Sequence, residues 1–254
     1  MAGLFWLTKA QIEQITPHFA LSHGVPRIDD QRVVSGIIHV IRNGLRWRDA
    51  PAEYGSHKTL YNRFVRWSRM EVVNRIFAGL AGRKGQPDRL MIDATHLKAH
   101  RTAASLLKKG LFPRRIGRTM GGLNSKLHVV SDGHGRPLIM LFSEGQMSDH
   151  KGAALMLSAL PPARVLIGGK GYDSNRFRQA LTARGIEPCI PSRRGRKQRI
   201  THDRKLYRQR HHIENMFGRL KDWRRIAMRH DRRAHTFMSA ICLAATTLFW
   251  INES

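Results

Sequence analysis

Hydrophobic positions in the first third of the chain recur at helical spacing. Val33, Val34, Ile37, Ile38 and Ile41 follow three- and four-residue steps and mark one buried face. Asp29 or Asp30 is placed to cap that helix, and Asn43-Gly44 to end it. Residues 7–19 predict an earlier helix that opens on Thr8-x-x-Gln11, a capping-box pattern. A loop with Pro51 and Gly55 leads to a third helix. Ser56 stands at its start, Leu60, Phe64, Val65 and Trp67 form its apolar side, and Lys58, Arg63, Arg66 and Arg69 lie beside them. Residues 72–80 predict one more short helix. Such a unit suits either a helix-turn-helix-like DNA reader or a helical cap that only packs.

Gly82, Gly85 and Pro87 signal a boundary, and the pattern then changes. Residues 89–98 predict a strand through Met91, Ile92 and Asp93. Residues 101–124 read as a long basic loop with Lys108, Lys109, Arg114, Arg115 and Arg118. Strands over 126–130 and 137–142 are joined at Ser131-Asp132-Gly133, a hairpin signal. A helix capped by Asp149 runs through Leu155 and Leu157. A strand over 164–167 ends at Gly168-Gly169. A helix over 174–184, a strand over 186–190, a basic connector over 193–204 and a long helix complete the order. The expectation is a mixed α/β domain over 87–254 preceded by a small all-α domain over 1–86.

The long helix carries two stripes. Tyr207, Arg210, Glu214 and Lys221 fall within an arc of roughly 60° at 3.6 residues per turn. Leu206, Ile213, Phe217 and Leu220 lie about 80° further round. Either this helix lines a cleft with a carboxylate, two cations and a phenol, or its polar side is a solvated charged face. Residues 237–251 are apolar but too short to span a bilayer comfortably, and they include Ser239, Thr246 and Thr247. A buried helix is the expectation there.

Composition adds a partner. Lys and Arg number 45 against 18 Asp and Glu, a formal charge of +27 on 254 residues. Nucleic acid is the first candidate to balance it and anionic membrane the second. Arg193, Arg194, Arg196, Lys197 and Arg199 suit a DNA backbone or a solvated loop, and Trp223 suits base stacking or packing. Cys189 and Cys242 are too few for a disulfide framework and fit a reducing cytosol. The His residues form no zinc pattern with them, and residues 1–20 lack the apolar run of a secretory signal.

A basic α/β protein with a cleft carboxylate points to metal-assisted phosphodiester chemistry, which needs convergent carboxylates for hard divalent ions. Asp93 sits in an apolar strand, where an unpaired charge is costly. It is either a metal ligand or an Asp paired with a basic neighbour. His96 and His150 are either groups near such a metal or ordinary core and surface residues. Gly168-Gly169-Lys170-Gly171 lacks the spacing of a phosphate-binding P-loop, and adjacent Ser148-Asp149-His150 do not suit a catalytic triad.

The spacing Tyr207-x2-Arg210-x3-Glu214-x6-Lys221 resembles the signature around the catalytic Glu of DDE-class bacterial insertion-sequence transposases, in particular the insertion-sequence-five group. Met91-Ile92-Asp93-Ala94-Thr95-His96 resembles that family's segment bearing the first catalytic Asp. The run Gly168-Gly169-Lys170-Gly171-Tyr172-Asp173-Ser174 resembles the segment bearing the second. The resemblance covers nearly the whole chain, the N-terminal helical unit included. It implies an RNase H-like catalytic domain, a mixed sheet flanked by helices, with carboxylates around two Mg²⁺ (or Mn²⁺) ions. Asp93 and Glu214 would be metal ligands, Arg210 and Lys221 would hold terminal phosphates, and Tyr207 would meet DNA. The implied activity is cleavage at transposon-end inverted repeats and strand transfer into target DNA. The implied setting is a homodimer or higher assembly on double-stranded DNA at the bacterial nucleoid in the cytoplasm, without membrane.

One departure stands out. Where the family carries its second Asp, directly before Lys-Gly-Tyr, this chain has Gly169. Two of three carboxylates remain, so metal binding is expected to weaken and cleavage to be impaired. Asp173 also occurs in the family, which implies a different job for it, such as helix capping. The alternatives are a catalytically inactive DNA-binding remnant that competes for transposon ends, and a metal nuclease without strand transfer.

Overall fold

The computed structural model describes residues 3–19, 29–83, 85–105 and 114–251. Lys108 and Lys109 lie outside them. The chain divides into two compact units.

The first unit comprises Met1–Leu80, Ala99–Arg114 and Arg219–Ser254. Helix α1 (Lys9–Ile15) starts at the expected capping box: Thr8 Oγ1 accepts the Gln11 amide at 3.2 Å and Gln11 Oε1 accepts the Thr8 amide at 2.8 Å. Helix α2 (Asp30–Asn43) is capped by Asp29, whose carboxylate accepts the Arg32 amide. It ends at Gly44, whose φ of +66° is the left-handed conformation that glycine adopts without strain. The predicted face of α2 is buried from Val33 to Ile41. Helices α3 (His57–Arg69) and α4 (Val72–Ala81) follow the predicted order. Ser56 is the N-cap of α3 but makes no side-chain cap bond there. The expected C-terminal helix is Ala234–Phe249 (named α8 below). It is buried along nearly its whole length and packs with α2 and α3. No helix among the described residues is long and apolar enough to cross a membrane.

The second unit comprises Ala81–Lys98 and Arg115–Gly218 and is built on a mixed sheet. Its central strand, β1 (Arg89–Ala99), pairs antiparallel with β3 (Gly122–Asp132), from Leu90 opposite Asp132 to Lys98 opposite Asn124. On its far side β3 pairs with β2 (Gly117–Thr119) and β4 (Pro137–Glu144). The other edge of β1 pairs parallel with β5 (Val165–Gly168), and β5 pairs parallel with β6 (Glu187–Cys189). Parallel neighbours need crossovers, and the helices α5 (Asp149–Met156) and α6 (Asn175–Thr182) lie in them. One core joins Leu90, Ile92, Val130 and Leu166 of the sheet to Met156, Phe177 and Leu181 of these helices. The approach of α5 is close: a Cβ at Gly152 would stand 2.3 Å from His128 Nδ1, so that turn admits no side chain.

Three local expectations change. The predicted loop over 101–124 contains a helical turn (Arg101–Ala104), β2 and the first residues of β3. Ser148, not Asp149, caps α5, by accepting the Lys151 amide at 3.3 Å. The long helix that begins at Arg204 is not uniform. Arg204–Tyr207 forms one helical turn, Arg208–Arg210 tightens to 3-10 geometry, and α7 runs His211–Lys221. Asp203 caps the first turn through the Lys205 and Leu206 amides, which have no partner in any α ladder. Within the tightened turn, His211 Nδ1 lies 2.8 Å from the Arg208 carbonyl, a side-chain contact that competes with the α ladder there.

Candidate active site

Parallel pairing sets Ile92 opposite Gly168, so Asp93 and Gly169 are the next residues along two adjacent strands. Asp93 is mostly buried, with a side chain 18% exposed. Its Oδ1 accepts the Ala94 amide at 2.9 Å, and its Oδ2 accepts from Arg210 Nη2 at 2.8 Å. Burial pushes the Asp93 carboxyl above the ordinary carboxylate range. Arg210 and the Ala94 amide oppose that shift and the charge of Asp149 adds to it.

Arg210 ends the 3-10 turn and faces the sheet. Its Nη1 donates to Glu214 Oε1 at 2.6 Å, so one guanidinium bridges Asp93 and Glu214. Glu214, in the first turn of α7, remains 51% exposed. The third donor, Arg210 Nε, is buried without a hydrogen-bond partner. A Cβ built on Gly169 would lie 3.6 Å from that Nε, an ordinary contact distance. The backbone at Gly169 is extended, φ −70° and ψ 168°, a conformation open to any residue. Space, backbone and an unused donor therefore converge where the chain carries no side chain.

Asp173 does not fill that position. Its side chain is fully buried, bound to Arg178 Nε at 2.9 Å and Arg196 Nε at 3.0 Å, and its Oδ2 accepts the Arg193 amide. Burial alone would raise its pKa, but these donors outweigh burial and hold it below the usual value. Ser174 caps α6, so Asp173 is an anchor for the basic connector rather than a helix cap. Arg196 is consumed in the same knot, donating also to Asn175 Oδ1 at 2.8 and 2.7 Å. Arg193, Arg194 and Lys197 stay exposed.

Tyr207 stands one turn before Arg210, its ring edge-on to His202 at 5.3 Å. Lys221 ends α7, in the stretch that counts with the first unit, and burial lowers its pKa. Trp223 is buried and packs. His96 Nδ1 lies 3.1 Å from Asn124 Oδ1, and His150 is exposed on α5.

A third acidic group lies near Asp93, and sequence reading assigns it a role only as a helix cap. Asp149 forms an ion pair with Lys126 Nζ at 2.7 Å, and its charge reaches Asp93. The available signal was Lys126 itself, a cation in a strand that is otherwise buried: its side chain is only 10% exposed. Among the described residues, no group of three His, Cys, Asp or Glu side chains could hold a metal ion. Two carboxylates tied by one guanidinium do not fit a pair of divalent ions as they stand.

An antiparallel β4-β3-β1 segment extended by two parallel strands, with an acidic residue on the central strand, defines an RNase H-like fold. The structure aligns with a piggyBac transposase synaptic complex with hairpin DNA at a TM-score of 0.52 and 8% identity, over 93% of this chain and 69% of that one. That likeness concerns the fold alone. The family model for the transposase DDE domain matches residues 84–249, and one described as "Putative transposase of IS4/5 family" matches residues 7–77. The chain belongs to the DDE-domain transposases. Among relatives, a "Putative transposase for insertion sequence element IS402" of Burkholderia cepacia is 32% identical, over 54% of this chain and 72% of its own length. A "Putative transposase for insertion sequence element IS6501" of Brucella ovis is 33% identical, over 51% of this chain and 100% of its own.

Proposed function

We propose that this transposase binds transposon-end DNA but cleaves it far below the rate that a full carboxylate set would give. One observation carries the reading: Arg210 joins Asp93 to Glu214 while its Nε faces the bare Gly169 position. The DDE domain's chemistry is metal-dependent phosphodiester cleavage and transfer, by Mg²⁺ or Mn²⁺, and Asp93 and Glu214 are the residues here that would face the ions. With the Arg210 charge between them, the pair has a net charge of −1 and little to offer two dications. Arg210, Lys221 and Tyr207 would touch the DNA end, and Arg193, Arg194 and Lys197 its backbone. The formal charge of +27 supports a duplex partner, and a homodimer or larger assembly would pair two ends.

The test compares this chain, Gly169→Asp and Asp93→Asn on duplex DNA carrying the element's end, with Mg²⁺ or Mn²⁺. The original chain should cleave near the Asp93→Asn background. Gly169→Asp should exceed it by more than about a hundredfold, since even groups one step removed from a metal are worth about 10–100-fold. Strong, equal cleavage by the original chain and Gly169→Asp would overturn the proposal. DNA binding without cleavage by any variant would favour the second reading, a remnant that only occupies transposon ends.

A further inference from the structure

The first unit holds a cavity of about 420 Å³ lined entirely by its own residues. Tyr61, Val65 and Arg69 line one wall at four-residue steps along α3, which places them on one face of that helix. Trp47 meets Tyr61 edge-on, with ring centroids 5.7 Å apart, so the two rings make an aromatic corner. The Trp47 ring is held by Phe64 at 5.3 Å and by the Arg225 guanidinium, 5.3 Å from its centroid. Tyr61 is 46% exposed, an unusual degree for so large an apolar ring beside a cavity.

The lining is also cationic. Asp231 is the one carboxylate among the lining residues, and Arg225 grips both its oxygens at 3.1 and 3.0 Å. Arg69, Arg232 and Arg233 then give the lining an excess of positive charge. Arg232 donates to the Thr102 carbonyl, which steadies the side chain without neutralising it. Helix α8 also begins here: Arg233 is its N-cap, makes no side-chain cap bond, and lines the cavity with Thr236. The start of a helix of this length adds partial positive charge from its amides.

An aromatic corner and several arginines lining one cavity of this size suit a planar ring joined to a phosphate. We propose that the cavity binds a nucleotide unit, its base against Tyr61 and its phosphate on Arg69, Arg232 and the first turn of α8. The unit can be a free mononucleotide or an unpaired nucleotide within a DNA strand. A base locked in a duplex offers no free ring face and would not enter.

Calorimetry on the full chain tests this with deoxyadenosine monophosphate and with inorganic phosphate. The mononucleotide should bind at least about tenfold more tightly, the scale of one stacked base. Tyr61→Ala should remove that advantage and leave phosphate binding unchanged, while Tyr61→Phe should keep it. Arg232→Gln should weaken both ligands, and Lys9→Gln, which removes the same charge elsewhere on this unit, should weaken neither. Oligonucleotides carrying 2-aminopurine separate the two sources. Tyr61-dependent quenching of an unpaired 2-aminopurine assigns the site to strands, and its absence, with mononucleotide binding intact, assigns it to free nucleotides. Equal affinity for mononucleotide and phosphate, or Tyr61→Ala behaving like Lys9→Gln, would overturn the proposal.

Discussion

His128 makes a sharp prediction about acid. It lies fully buried on β3 beneath α5, with Nε2 3.1 Å from Ser143 Oγ. Burial pulls its pKa from 6.5 down to about 4, helped by Lys126 and His96 and opposed by Asp149. The folded state thus holds the ring neutral where the unfolded chain binds a proton. Between those two values the unfolded state carries the extra proton, so stability rises with pH across the window and is lost as pH falls through it. The gap corresponds to roughly 3 kcal/mol, a large share of the roughly 5–15 kcal/mol that keeps a domain folded. Urea unfolding at pH 7.5 and pH 4, for the original chain and for His128→Gln, isolates this share. The variant should start less stable at neutral pH and lose about 3 kcal/mol less on acidification. If both proteins lost the same amount, burial of a neutral His128 would not be the cause.

Two further outcomes follow from the same unit and from the charge. Asp173→Asn should cost about 3 kcal/mol in urea unfolding at pH 7, because it leaves Arg178 and Arg196 buried against a neutral amide. Its depressed pKa means that the deficit should shrink as pH falls through the carboxylate range. No such shrinkage would show that Asp173 is not held as an anion. Affinity for duplex DNA should fall steeply as salt rises from 50 to about 200 mM, and an affinity flat over that range would contradict phosphate contacts.

The helices of the first unit were legible because their signals are local. Thr8 with Gln11, and Asp29 with Gly44, act within a few residues of themselves. Strand β2 was not, because Gly117-Arg118-Thr119 has no apolar alternation and is a strand only through its pairing with β3. The tightening at Arg208–Arg210 escaped for a related reason. Angular arithmetic assumes uniform α geometry, whereas the His211 ring lies against a backbone carbonyl within that turn. At the site, Asp93 was readable as a charge within an apolar strand, and a pairing with a basic residue is what is seen, but that residue is Arg210, 117 residues away. The knot of Asp173, Arg178 and Arg196 and the pair of Lys126 with Asp149 depend on contacts that no spacing encodes.

The extended backbone at Gly169 has a consequence for inheritance. A glycine codon ending in a pyrimidine lies a single base change from an aspartate codon. The strand end already has the conformation an aspartate needs, and nothing crowds the space its Cβ would take. A Cβ at this position therefore strains neither the backbone nor its nearest neighbours. Selection for an unstrained backbone does not distinguish the two residues here. A lineage with such a codon can exchange glycine and aspartate at 169 in one mutational step.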